Sequence, residues 1–182
     1  MKKGEINLYF CTLERQYNMK RIITVVVLLI SSLASAQAYK GKGDIKGQVG
    51  LNSQEHGSGI NTSVDIGIGE NMSYGFVASY LLSVDQAAGI KPKFEDRADV
   101  KVRFNANIGN VFGLDKNMDI YPGLSLGTRN FGGHVGFRYF FTSGFGIYAE
   151  AGTPIAKYDT NTKGFEQYNN QFVFNIGASF NL

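Results

Sequence analysis

Cysteine occurs once in these 182 residues, tryptophan not at all and proline three times. The longest apolar stretch is residues 22–30, with Thr24 inside it. A membrane-crossing helix needs about 20 such residues, so none is expected. The lone Cys11 stands far ahead of the bulk of the chain, which excludes disulfides, thiolate metal sites and a cysteine nucleophile from residues 39–182. No cysteine lies between Ala34 and Tyr39, which excludes a lipoprotein anchor there. An excess of one charge is lacking too. Five of the 18 basic and two of the 15 acidic residues precede residue 39, leaving 13 of each behind it. The net +3 therefore belongs to Lys2, Lys3, Arg15, Lys20 and Arg21 against Glu5 and Glu14, and no nucleic-acid partner is expected.

What is present begins with an export pattern. Lys20 and Arg21 precede the apolar stretch, and Ser31, Ser32 and the small-residue segment Ala34-Ser35-Ala36-Gln37-Ala38 follow it. This three-part order reads as a cleaved signal over residues 19–38, with cleavage after Ala36 or Ala38 equally compatible with the small-x-small rule. Residues 1–18 read as neither signal nor domain, and translation is expected to start at Met19. Residues 39–182 form the third region.

That third region alternates with a period of two, the mark of strands with one apolar and one polar face. Eight segments carry it. In residues 42–52, Ile45, Val49 and Leu51 oppose Lys42, Asp44, Lys46 and Gln48. In the second, Ile60, Thr62, Val64, Ile66 and Ile68 oppose Asn61, Ser63 and Asp65. The third sets Met72, Tyr74, Phe76, Ala78, Tyr80 and Leu82 against Ser73, Gly75, Ser79 and Ser83. The fourth is the cleanest, with Val100, Val102 and Phe104 against Asp99, Lys101, Arg103 and Asn105. The fifth carries Ile120, Leu124 and Leu126 around Pro122, which predicts a bulge or weak pairing. In the sixth and seventh, Val135, Phe137, Tyr139, Phe145 and Ile147 oppose His134, Arg138, Tyr148 and Glu150. The last alternates strictly from Phe172 to Leu182.

Tight turns are expected at 69–71, 115–117 and 142–144, and longer connections at 53–59, 84–97 and 153–170, with 128–133 a short exception. One end of the sheet is thus trimmed and the other elaborated. These features predict an all-β fold: an eight-stranded antiparallel up-and-down transmembrane β-barrel, its apolar face turned to lipid. Aromatic residues cluster near strand ends, as an interfacial girdle requires. A one-residue slip of the fourth strand would turn Lys101 and Arg103 to the lipid at about 2 to 4 kcal/mol each near the midplane, so register is strongly enforced. The alternative is a soluble, lipocalin-like periplasmic carrier, whose apolar face would line the interior.

The Ala-Gln signal end, the stretch HVGFRYFFTSGFGIYAEAG at residues 134–152 and the terminal FVFNIGASFNL resemble small outer-membrane β-barrel proteins of Bacteroidota, and more loosely the eight-stranded OmpA-barrel and OmpX class. The resemblance implies that the last strand, ending in Phe180 and Leu182, is what the barrel-assembly machinery recognises. OmpA-type proteins add a peptidoglycan-binding domain after the barrel; none is expected here.

Eight strands enclose a space just wide enough for side chains to fill. The expected inward set is Lys42, Asp44, Lys46, Asp65, Asp99, Lys101, Arg103, Asp119, Arg129, Arg138, Tyr148 and Glu150, near charge balance and able to pair as a plug rather than line an ion path. No catalytic, cofactor-binding or metal-ligating residue is expected, and no cofactor. His56 and His134 have no metal-ligand spacing, and the glycines around Gly67 precede no helix that would cradle phosphate. An acyl-transfer site from His56, Ser58 and Asp85, which would make the protein a lipid-modifying enzyme, needs an apolar lumen that this chain lacks. The expected partners are outer-membrane lipid and the assembly machinery, with any surface partner meeting loops 84–97 and 153–170. The expected role is structural or surface-interacting, at the cell outer membrane. Peptide mapping of the cellular protein should find nothing from residues 1–18; such a peptide would overturn the Met19 start.

Overall fold

The computed structural model describes residues 37–85, 92–159 and 167–182. The expected extension 1–18, Cys11, the signal up to Ala36 and the centres of the two longest loops lie outside the described residues.

Eight strands form: β1 (Ile45–Gln54), β2 (Gly57–Gly67), β3 (Met72–Val84), β4 (Ala98–Ala106), β5 (Met118–Gly127), β6 (Asn130–Phe140), β7 (Phe145–Lys157) and β8 (Val173–Asn181). One short helix, α1 (Phe94–Arg97), precedes β4. Each strand pairs antiparallel with its chain neighbours, and β1 closes on β8 from Lys46↔Asn181 to Gln54↔Val173. The expected closed, eight-stranded antiparallel barrel is therefore what the chain builds, and every strand edge is paired.

The period-two pattern decides which way each residue points. Val49, Leu51, Phe76, Val100, Leu126, Val135 and Ile176 stand on the outside, all more than half exposed. Lys46, Gln48, Asp65, Ser73, Arg103, Asn105, Asp119 and Arg138 are all buried inside. This is the reverse of a lipocalin-like barrel, whose interior must be apolar to hold its ligand. Thr62, a polar residue on the outer face, donates its hydroxyl to the Gln48 carbonyl at 3.1 Å.

The ends differ from expectation in four places. Residues 53–59 form no long loop, since only Glu55 and His56 separate β1 from β2, with His56 in the left-handed region at φ 59°. Likewise β6 begins at Asn130, so 128–129 is the whole β5–β6 hairpin. By contrast the predicted tight turn at 115–117 is the last part of a longer segment, 107–117, because β4 stops at Ala106. Pro122 causes no break with β6, where Pro122↔Val135 sits in unbroken register. The weak pairing is on its other side, where the β4–β5 ladder ends at Asn105↔Gly123 and no N–H is needed from proline. Asymmetry between the ends thus comes mainly from the connections after β3 and β7.

Two of the expected inward charges are not inside. Lys42 is exposed in a turn before β1, and Arg129 sits half-exposed in the β5–β6 hairpin, where it donates to the Glu95 carbonyl at 2.6 Å. Both lie beyond strand ends, where the alternation no longer reports facing.

Inward glycines make room for large partners across the ladder. A Cβ on Gly136 would overlap the Tyr121 ring, one on Gly75 the Asp65 carboxylate, and one on Gly123 the His134 imidazole. Gly136→Ala should therefore lower unfolding stability by about 1–3 kcal/mol, read by urea denaturation. An unchanged midpoint would mean that the Tyr121 ring can move aside.

Candidate functional site

The lumen holds the densest polar chemistry of the described residues. Position parity brings it together: Gln48 of β1, Ser63 and Asp65 of β2, Arg103 of β4, Tyr121 of β5, Arg138 of β6 and Glu150 of β7 all point to the axis, while β3 and β8 contribute Gly75 and Gly177 at about the same level. Arg103 is the hub. Its Nε and Nη2 donate to the two Asp65 oxygens at 2.6 and 2.7 Å, a bidentate pairing. Nη1 donates to Glu150 at 2.7 Å, and Nη2 also reaches Gln48 Oε1 at 3.0 Å and Ser63 Oγ at 2.9 Å.

Arg138 completes the cluster. It donates to Asp65 at 3.0 Å and lays its guanidinium 3.9 Å from the centre of the Tyr121 ring. Its Nε and Nη1 make no hydrogen bond, so the ring face is what meets that side of the cation. Tyr121 in turn accepts from Gln48 Nε2 at 3.2 Å. Two carboxylates and two guanidiniums, each at most 7% exposed, thereby cancel charge across the centre of the barrel.

On either side the lumen is lined by amides and hydroxyls. Toward the end bearing both termini, His134 meets Asn105 at 2.8 Å, Asn105 donates to Ser73, Ser73 to Asn107, and Asn107 to Asp119 at 2.7 Å. Lys46 pairs with Asp44 at 2.6 Å and lies over the Phe140 ring. Toward the other end, Lys101 pairs with Asp99 at 3.3 Å, and Tyr148 reaches Asn61 at 3.3 Å. A cavity of about 50 Å³ lies above the cluster and one of about 80 Å³ below it, each sized for a few waters.

Both mouths are covered. At the terminus end, Ala38 is fully buried with its N–H on the Lys116 carbonyl at 2.7 Å, and the Tyr39 hydroxyl donates to the Met72 carbonyl at 2.6 Å. At the loop end, residues 167–171 strap across. The Tyr168 hydroxyl donates to the Asp85 carbonyl at 2.7 Å, Asn169 N–H to Gln54 at 2.8 Å, and Asn130 Nδ2 to the Asn169 carbonyl at 2.9 Å.

Ten of the twelve expected inward residues are therefore inside: Asp44, Lys46, Asp65, Asp99, Lys101, Arg103, Asp119, Arg138, Tyr148 and Glu150. The strand parity also held a signal for Tyr121, the ring on which Arg138 rests, which a search for charged residues passes over. Of the aromatics in segment 153–170, Tyr158 is exposed and Tyr168 is buried in the strap; Phe165 is outside the described residues.

The structure brings together two of the three residues weighed as an acyl-transfer site. His56 Nδ1 is 2.9 Å from Asp85 and Nε2 is 3.4 Å from Glu55. Both ring nitrogens thus face carboxylates, and no hydrogen bond joins Ser58 to the imidazole among the described residues. A base must have a free nitrogen on its nucleophile. Among the described residues no group of three or more His, Cys, Asp or Glu side chains is placed to hold a metal ion.

A family model described as "Family of unknown function (DUF6646)" matches residues 29–182. No curated protein matches. Among solved structures, the solution NMR structure of outer membrane protein G from Pseudomonas aeruginosa aligns over 79% of this chain and 99% of its own, at 11% identity and a TM-score of 0.44.

Replacing Arg103 by Met would leave Asp65 and Glu150 facing each other with one cation fewer. A loss of about 3–5 kcal/mol of unfolding stability is expected in urea titration, and adding Glu150→Gln should recover most of it, because Asp65 then stays paired with Arg138. A single variant as stable as the parent would mean the cluster contributes nothing. At the rim, the hydrogen bond that the His56 imidazole donates to Asp85 holds its pKa above the ordinary value, with the Glu55 charge adding to it. The contact is fully present below the unfolded imidazole's pKa and is lost as pH rises through the folded one. An NMR titration should place the His56 midpoint above 6.5, and Asp85→Asn should lower it; a midpoint indifferent to Asp85 would sink this assignment.

Proposed function

The chain belongs to the family of unknown function DUF6646, matched over residues 29–182, and on that premise we propose that it is an outer-membrane β-barrel with a structural or surface-interacting role and a closed, non-conducting lumen. The observation that carries this reading is the inversion of polarity, with apolar side chains outside on all eight strands and a lumen filled by polar and charged ones. A soluble monomer rarely exposes a contiguous apolar patch beyond a few hundred Å². Here large apolar side chains stand exposed on every strand, from Ile45 and Val49 on β1 to Phe174 and Ile176 on β8.

The dimensions support it. Strands of 9–13 residues, rising about 3.3 Å per residue and tilted about 40°, give an apolar band near 25 Å. Aromatic rings sit at both borders of that band. At the terminus end Tyr139, Phe141, Phe145 and Phe180 follow one another at ring separations of 5.0, 6.3 and 5.6 Å. At the loop end Tyr80 stacks on Phe94 at 5.2 Å.

The terminus end would face the periplasm and the connections after β3 and β7 the outside, so that a surface partner would meet segments 84–97 and 153–170. A signal cleaved after Ala36 would deliver the chain and leave Ala38 at the mouth, and the terminal strand ending in Phe180 and Leu182 would be read by the assembly machinery. The resemblance to small barrels of Bacteroidota and to the OmpA and OmpX class supports this assignment. The reading contains no catalytic role, since the imidazole at His56 is engaged on both sides by carboxylates.

A membrane-pelleted protein whose gel mobility changes only on boiling is expected. Val102→Arg, on the outer face in mid-β4, should cost assembly about 2–4 kcal/mol in lipid. Fractionation as a soluble protein, with Val102→Arg harmless, would overturn the proposal.

A further inference from the structure

The outer wall beside α1 is not even. Between β2, β3 and β4 it carries a groove of about 460 Å³ whose exposed lining is entirely apolar, bounded by Ile60, Tyr80, Phe94 and Val100. Its floor is low because Thr62, Ala78 and Ala98 are small. Phe94, 72% exposed, stands over it as a ridge from the loop end. A second hollow of about 440 Å³ lies on the other side of Phe94, toward Thr128 and Arg129.

Two cations sit at this rim, both anchored by carbonyls. Arg97 donates to the Leu81 and Leu82 carbonyls at 2.6 Å each and lies 4.9 Å from the centre of the Tyr80 ring. Arg129 donates to the Glu95 carbonyl at 2.6 Å. Neither guanidinium has a carboxylate within ion-pair distance among the described residues, whereas the nearby acids are engaged: Asp96 accepts from the Lys93 N–H at 2.8 Å and Glu95 faces the Lys93 ammonium at 3.6 Å. A carbonyl satisfies a donor but leaves the charge uncompensated, and each guanidinium keeps further N–H groups for a ligand.

We propose that this rim and groove form a binding site for a phosphorylated acyl lipid of the surrounding membrane, its phosphate on Arg97 and Arg129 and one acyl chain in the groove beneath Phe94. The inference rests on the membrane reading above. Its amphipathic shape, two uncompensated cations above a dry furrow, matches a lipid and not a free anion, which would have no use for the furrow. A second copy docked symmetrically through this face would set Arg97 and Arg129 close to their own counterparts, like charge against like.

The test is native mass spectrometry of the full, detergent-folded protein with phosphatidylglycerol, phosphatidylcholine or inorganic phosphate. The wild type is expected to retain one phosphatidylglycerol about tenfold or more over phosphatidylcholine. Arg97→Gln with Arg129→Gln should abolish that preference. Because both arginines also hold α1, Ala78→Leu provides a second arm: it fills the groove, keeps both charges and should also cut retention. Heat-modifiable mobility of every variant shows separately that the barrel is folded, and its absence in the wild type would count against the membrane reading itself. Equal retention of the two lipids by a folded wild type, retention unchanged in Ala78→Leu, phosphate binding as tight as lipid binding, or a dimer in place of a lipid adduct would each overturn the site.

Discussion

Charge placed inside a narrow closed sheet must find its opposite there, and most of this structure follows from how that is met. Arg103 touches Asp65, Glu150, Gln48 and Ser63, and Asp65 is shared with Arg138. These residues come from β1, β2, β4, β6 and β7, so the cluster spans the barrel instead of following one hairpin. A buried ion cluster of this sort adds little net stability relative to apolar packing, because desolvation opposes the Coulomb gain. Its effect is on register. A slip of one residue in β4 would carry Arg103 outward and leave Asp65 and Glu150 without the hub, a state far more costly than the net worth of the bonds.

Space is the second constraint. Tyr121 and Arg138 stack near the centre, and the ring has room only because Gly136 lacks a side chain. Gly75 leaves room in the same way for the Asp65 carboxylate and Gly50 for the Tyr148 hydroxyl, while Gly177 lets the β1 backbone at Val49 and Gly50 come close. Large residues facing glycines fill an eight-stranded lumen without strain, which is why the remaining cavities are small and sit above and below the cluster. The mouths are then closed by chain that is not strand: Ala38 and Tyr39 at one end, residues 167–171 at the other.

With the interior committed to its own charges, interactions with other molecules fall to the outer wall and the loop end. The wall is apolar and bordered by rings, and the loop end carries α1, the His56–Asp85 pair and the strap. Arg97 and Arg129 link these regions, since they tie α1 to the barrel through carbonyls and keep their charge free of any carboxylate among the described residues.

Alternation along the chain was enough to determine the number of strands, the face each residue takes within them and the inward placement of ten of the twelve residues expected in the lumen. That legibility has a plain cause: in a strand the facing of a side chain depends only on parity, a local property. Where strands end, parity stops carrying information, so Lys42 and Arg129 were misplaced and the lengths of the 55–56, 107–117 and 128–129 connections came only with the ladders. The pairing of Arg103 with Asp65 and Glu150, the rest of Arg138 on Tyr121, the meeting of His56 with Asp85 and the burial of Tyr168 were also decided in three dimensions. Each joins residues 17 to 83 positions apart. Such contacts depend on barrel closure and on which residues share a level, and no pattern within a single strand encodes them.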